Sequence, residues 1–172
     1  MTFIDRGFRA HPLRYVLQCL LAGIAVMVVL LLVDAVAHTV LIAALGASAF
    51  VVFTMPELRI SGPRHLIGGY VVGVAVGALL WLVHDLLFHR LGLSALAGHP
   101  HFTLTLFGGL AVGVAIFLMV ITDTEHPPAA GVTLGLVVNP RWDLRVLLVI
   151  LLAIVALCLV RFLLRPALKN LL

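Results

Sequence analysis

An all-α, polytopic membrane bundle is the fold class this chain predicts, and three observations carry the prediction. The composition is 63% hydrophobic and 10% charged, with a mean hydropathy of +1.25, which is more apolar side chain than a water-soluble fold of 172 residues can cover. Four apolar runs are long enough to cross a hydrocarbon core of about 30 Å, which takes about 20 helical residues. Two further segments are apolar, rich in small residues and closed by proline, the pattern of short or broken membrane helices. The six segments read as one transmembrane domain over residues 1–172.

The first run, Tyr15 to Val33, follows Arg6, Arg9 and Arg14. A cleavable leader has the same polarity, and Ala35-Val36-Ala37 has the small-x-small form of a cleavage site. At 19 residues the run exceeds the usual leader core, so a retained helix is expected. Ala35 to Met55 comes next, with His38, the patch Gly46-Ala47-Ser48-Ala49 and then Pro56. Leu66 to Val83 is the second long run. Its Gly69, Gly73 and Gly77 recur every four residues and so share one helix face, a groove that admits a close partner helix and points to a homo-oligomer. Leu104 to Ile121 is the third, with Gly109 and Gly113 at the same spacing. Pro127 to Val138 has only 12 residues, roughly 18 Å as a helix, too short to cross alone when straight. Val146 to Leu164 closes the series, with Arg161 near enough to its end to snorkel.

Charge orients this set. The formal net charge is +4, but the basic residues sit at segment ends instead of forming one stripe, so no nucleic-acid partner is expected. With six crossings, Arg6, Arg9, Arg14, Arg59, Arg64, Arg161, Arg165 and Lys169 share one side, eight of the eleven basic residues. If Pro127 to Val138 dips and returns, the division becomes seven against four. The positive-inside rule therefore favours six crossings, with both termini cytoplasmic in a bacterial-type inner membrane. The halves 15–83 and 104–164 each hold long, short and long segments, and three crossings per half would make them inverted repeats, an architecture common in transporters.

Several chemistries find no support. Cys19 and Cys158 lie in apolar segments and read as packing thiols. His84, Asp85, His89, His99 and His101 resemble a metal cluster in composition, but His84 and His89 are five apart, not the four that aligns ligands on a helix. They read as a solvated loop, and neither metal nor cofactor is expected. A phosphate loop, a zinc-protease pair and a nucleophile elbow are all missing from the sequence, so an enzyme is not expected.

The polar run Thr122-Asp123-Thr124-Glu125-His126-Pro127-Pro128-Ala129-Ala130-Gly131 is the main anomaly, since ionisable groups between membrane segments mark function by default. Pro127 and Pro128 suit the first turn of a helix. A helix starting there inside the membrane would aim its dipole and free N–H groups inward, towards an anion. Gly131 permits close approach and Thr133 adds a hydroxyl. Asp123 and Glu125 would oppose an anion, so they are expected to face water, to pair with Arg64 or to relay protons beside His126. The alternative is a tight cytoplasmic turn capped by Thr124. His38 is equally open, between a pore-lining and an interfacial role.

Three motifs in order carry a resemblance: Leu45-Gly46-Ala47-Ser48-Ala49 with Pro56, then Gly62-Pro63-Arg64-His65-Leu66-Ile67-Gly68-Gly69, then Thr124-Glu125-His126-Pro127-Pro128-Ala129-Ala130-Gly131. Together they resemble the HPP family of integral membrane proteins, over about Tyr15 to Leu164. Glu125 stands where the family often has threonine, and Ala130-Gly131-Val132-Thr133 replaces a more usual Gly-Ala-Thr-Ala. The resemblance implies a small transporter-like protein in the lipid bilayer, and plant and cyanobacterial relatives are associated with nitrite transport. On this basis a small inorganic anion would move past His126, Pro127, Pro128, Gly131, Thr133, Gly46, Ser48, Arg64 and His38, with Glu125 or Asp123 coupling protons. The competing expectation is a structural or regulatory membrane subunit without transport of its own.

Overall fold

The computed structural model describes residues 11–33, 39–93, 100–139, 142–166 and 168. They form six helices: α1 (Pro12–Val33), α2 (Thr39–Thr54), α3 (Pro63–His84), α4 (Pro100–Ile121), α5 (Pro127–Val138) and α6 (Leu144–Leu164). A 3₁₀ turn at Arg59–Ser61 leads into α3, and a π-helical turn at Asp85–Arg90 prolongs it. The four long helices begin two to four residues before the apolar runs do. The reason is local: α1, α3 and α4 open on Pro12, Pro63 and Pro100, and proline with polar neighbours fits a first turn although it interrupts an apolar run. His38 and Ala35 to Ala37 lie outside the described residues.

α2 stops short because Pro56 cannot continue it. The chain then folds beneath the helix end, where the Ser61 hydroxyl donates to the carbonyls of Met55 (2.6 Å) and Val51 (3.1 Å). Both carbonyls already accept a backbone N–H, from Leu58 onto Met55 (3.1 Å) and from Met55 onto Val51 (3.0 Å), and the hydroxyl gives each a second partner at the helix end.

Specific contacts fix the direction of every helix. Gln18 near the start of α1 donates to the Phe53 carbonyl at the end of α2, and Arg64 at the start of α3 donates to the Thr122 carbonyl just after α4 (2.9 Å). His84 ends α3 against Thr103 in the first turn of α4, 3.0 Å apart. Trp142, just before α6, packs edge-on to Trp81 late in α3 at 4.7 Å, while Arg161 at the far end of α6 reaches the Pro56 carbonyl (2.8 Å). Successive helices thus alternate in direction, and α1 begins at the same end of the bundle at which α6 finishes. α5 runs parallel to α3 and carries the chain from that end towards the other. It does not dip and return.

The bundle is apolar outside and small inside. Leu110, Phe117, Leu152 and Phe162 are more than half exposed, whereas Ala111, Ala115, Ala129 and Ala153 are fully buried. An apolar exterior suits lipid, where close backbone packing and hydrogen bonds replace the hydrophobic effect as the glue between helices. The glycine groove of α3 shows how close that packing is. A Cβ on Gly69 would sit 2.9 Å from the Thr124 carbonyl, one on Gly73 2.7 Å from the Ala129 carbonyl, and one on Gly77 3.0 Å from the Thr133 carbonyl. The groove expected to receive a second subunit is filled by the chain's own α5 and its lead-in. Gly109 and Gly113 on α4 have open space at the same test.

Candidate functional site

A chain of polar groups is buried where α2, α3 and the start of α5 meet. Ser48 lies two turns before the end of α2, and Tyr70 lies two turns into α3, which brings them level about 10 Å inside the helix ends. Their hydroxyls are 2.9 Å apart. His126, the N-cap residue of α5, completes the group, with Nε2 2.8 Å from the Ser48 hydroxyl and Nδ1 3.1 Å from the Ile60 carbonyl. A carbonyl only accepts, so Nδ1 carries the proton and Nε2 of the neutral ring accepts. The directions follow: Ser48 donates to Nε2, Tyr70 donates to Ser48, and His126 donates to Ile60. Ser48 and Tyr70 are fully buried and His126 is 1% exposed. His126 lies in the α4–α5 connection, where burial pushes its imidazole down to about 4, against a weaker upward pull from the Ile60 bond. At neutral pH it is therefore uncharged.

Thr133, about two turns further along α5, is fully buried and donates to both the Gly73 carbonyl (3.1 Å) and the Ala129 carbonyl (3.2 Å). The helix start itself is a poorer anion cradle than the two prolines suggest. Neither Pro127 nor Pro128 has an N–H, and the Ala129 N–H is taken by the His126 carbonyl at 2.9 Å. Thr124 does not cap the helix, for its hydroxyl faces that of Thr122 at 2.8 Å.

The charged candidates gather nearer the end of the bundle, apart from this neutral chain. Asp123, held at φ +54°, is bracketed by Arg59 and by Arg64, whose Nη1 is 3.5 Å from the carboxylate. Arg64 thus meets Asp123 and the Thr122 carbonyl, with its side chain 66% exposed. Glu125 faces His65 at 3.6 Å. Pro127 is exposed, Pro128 and Gly131 are part-exposed, and Gly46 is exposed on the outer face of α2 with nothing near its missing Cβ. Arg161 does not snorkel freely but bends to the Pro56 carbonyl. His84 also departs from expectation. It is buried against Phe88 and Phe107, with ring centroids 4.9 and 5.2 Å away, because the π turn keeps Asp85 to Arg90 helical where a loop was expected.

The HPP transmembrane-region model matches residues 8–170. The chain belongs to the HPP transmembrane family. It is 30% identical over 105 residues to a transmembrane protein of Dictyostelium discoideum, an alignment covering 60% of this chain. The chain spans about a third of the length of that curated relative, 32%. No solved structure matches it. In this HPP protein the three motifs converge: Ser48, the stretch from Ile60 to Tyr70, and His126 meet although 78 residues separate the first from the last. Tyr70, Ile60, Arg59 and His65 were not singled out by the sequence. Tyr70 directly follows Gly68-Gly69, and a buried phenol beside a serine level with it was the available signal.

Proposed function

We propose that this HPP protein transports a small inorganic anion across the membrane, nitrite being the first candidate by family resemblance, along the seam where α2 and α5 meet. One observation carries the proposal. Two short helices, one from each half of the chain, touch through a buried chain of hydroxyls and an imidazole, the kind of neutral hydrogen-bonding surface that can replace part of an anion's hydration.

The helix contacts support an inverted repeat. The main touching pairs are α1 with α2 and α6, α2 with α5 and α6, α3 with α4, α5 and α6, and α4 with α5. Exchanging α1 with α4, α2 with α5 and α3 with α6 returns the same set of pairs. With alternating directions, that exchange relates two inverted halves meeting at α2 and α5. Arg14, Arg59, Arg64, Arg161 and Arg165 belong to one end of the bundle. By the positive-inside rule we take it as cytoplasmic, and its charge would raise local anion concentration.

Ser48 and His126 sit at the distance of a nucleophile and its base, but the serine is wholly buried and already placed between two partners, so we read the pair as positioning and the chain as non-enzymatic. The second reading, a structural membrane subunit, rests on that same satisfaction of every group in the chain of bonds. Nitrite uptake by proteoliposomes separates the two. Uptake above empty vesicles that falls at least tenfold in Ser48→Ala, with the variant still eluting as a single folded species, supports transport. Uptake equal to empty vesicles refutes it.

A further inference from the structure

We infer that His65, Asp123 and Glu125 form a binding site for a first-row divalent cation at the end of the seam, independent of what the protein transports. The donor atoms of the three side chains lie within 4.8 Å of one another, with His65 Nε2 3.6 Å from the Glu125 carboxylate and 3.9 Å from that of Asp123. Two ligands on metal bonds of about 2.1 Å can stand at most about 4.2 Å apart, so one ion bridges the imidazole to both carboxylates with little movement. The donor set of one imidazole and two carboxylates suits zinc, manganese or ferrous iron.

The second observation is His65 itself. Its side chain is only 8% exposed, and among the described residues its ring makes no hydrogen bond shorter than its approach to the Glu125 carboxylate at 3.6 Å. Its Nε2 is aimed at two carboxylates that are 41% and 43% exposed, which leaves water and further ligands access from the bundle end. Spacing could not reveal the site, because His65 in the first turn of α3 and Asp123 in the α4–α5 connection are far apart in sequence. Arg59 and Arg64 are the competitors: Arg59 holds the Asp123 oxygen that His65 faces and Arg64 stands 3.5 Å from the other, but their side chains are 76% and 66% exposed, and ion pairs so exposed are weak and yield readily. An ion here would staple the α4–α5 connection to the start of α3.

The test is Co²⁺ and Zn²⁺ binding to the tag-free full-length protein in detergent, followed by visible absorption and calorimetry. One ion per chain is expected, with affinity falling at least tenfold in His65→Ala and in Glu125→Gln. Arg59→Ala should bind several-fold more tightly, because it frees the Asp123 oxygen, an effect that a merely structural role for these residues does not produce. Failure of the wild type to bind a stoichiometric ion, or equal affinity in His65→Ala, Glu125→Gln and wild type, overturns the inference. Since Glu125→Gln keeps the size and shape of the side chain, its result stands even if His65→Ala does not fold.

Discussion

Replacing Gly73 with alanine tests whether backbone contact between α3 and α5 holds this bundle together. The new Cβ would lie 2.7 Å from the Ala129 carbonyl oxygen and 3.0 Å from the Thr133 hydroxyl, where ordinary contact begins at 3.4 Å. The nearer obstacle is backbone, so relief requires α5 to back away by about 0.7 Å, the difference of those two distances. Overpacking of this kind costs about 1–3 kcal/mol, and the hydrogen bond from Thr133 to the Gly73 carbonyl, worth about 1 kcal/mol, is stretched as well. Alanine's better helix propensity returns about 1 kcal/mol. Gly109→Ala has the same propensity gain with nothing within 4 Å to strike. The two variants should therefore differ by about 2–4 kcal/mol, or on the order of 10 °C in melting temperature for a chain of this size. Thermal unfolding of both in one detergent measures the difference. If Gly73→Ala melts no lower than Gly109→Ala, the groove is not a packing surface and the argument from glycine spacing to the seat of α5 fails.

Three further outcomes follow from single sites. Burial holds the folded His126 imidazole down at about 4, below the ordinary value of about 6.5, so the unfolded chain protonates first as pH falls. Stability should drop between about pH 6.5 and 4 by about 3 kcal/mol and then level off; His126→Asn should flatten this slope in pH-dependent melting, and an unchanged slope would remove His126 as its cause. Asp123 has φ +54°, a region costing about 1–2 kcal/mol for a side-chain-bearing residue; Asp123→Gly should be more stable than Asp123→Ala by about 1 kcal/mol in chemical unfolding, and equality would dismiss the strain. Trp142 donates to the Leu136 carbonyl at 2.7 Å near the end of α5, so Trp142→Phe should lose about 1 kcal/mol while keeping the aromatic contact with Trp81; no loss in melting temperature would mean water replaces the bond.

What the sequence disclosed depended on the range of the signal. Helices stood out because each apolar run is its own evidence, and Pro127 marked the first residue of α5 correctly because proline both ends and begins helices by its own geometry. The passage of α5 from one end to the other was not legible, since its 12 residues are compatible with either path, and what decides is tertiary: Ala129 and Thr133 climbing along Gly73 and Gly77 of α3, and Trp142 against Trp81. The use of the α3 groove was likewise hidden: Gly69, Gly73 and Gly77 announce a close partner but not whether it is another chain or a later segment of the same one. His84 was misplaced for a simpler reason. Its ring does lie near those of Phe88, four residues on, and His89, but Thr103 and Phe107, which bury it from the next helix, are joined to it by no spacing rule.

The separation of charge from the seam has a mechanical consequence. An ionised group at the crossing of α2 and α5 would cost several kcal/mol in a lipid environment, and this chain puts neutral donors there, leaving Asp123, Glu125, Arg59 and Arg64 nearer the bundle end. The seam is then held by short-range forces: hydrogen bonds of 2.8 to 3.2 Å at His126 and Thr133, and close packing against three glycines and the buried apolar side chains beside them. Both fade within about an ångström of displacement, whereas the attraction among the charged groups at the end falls off slowly with distance. A movement of α5 along α3 would therefore break the seam bonds together while the charged end still tethers the connection.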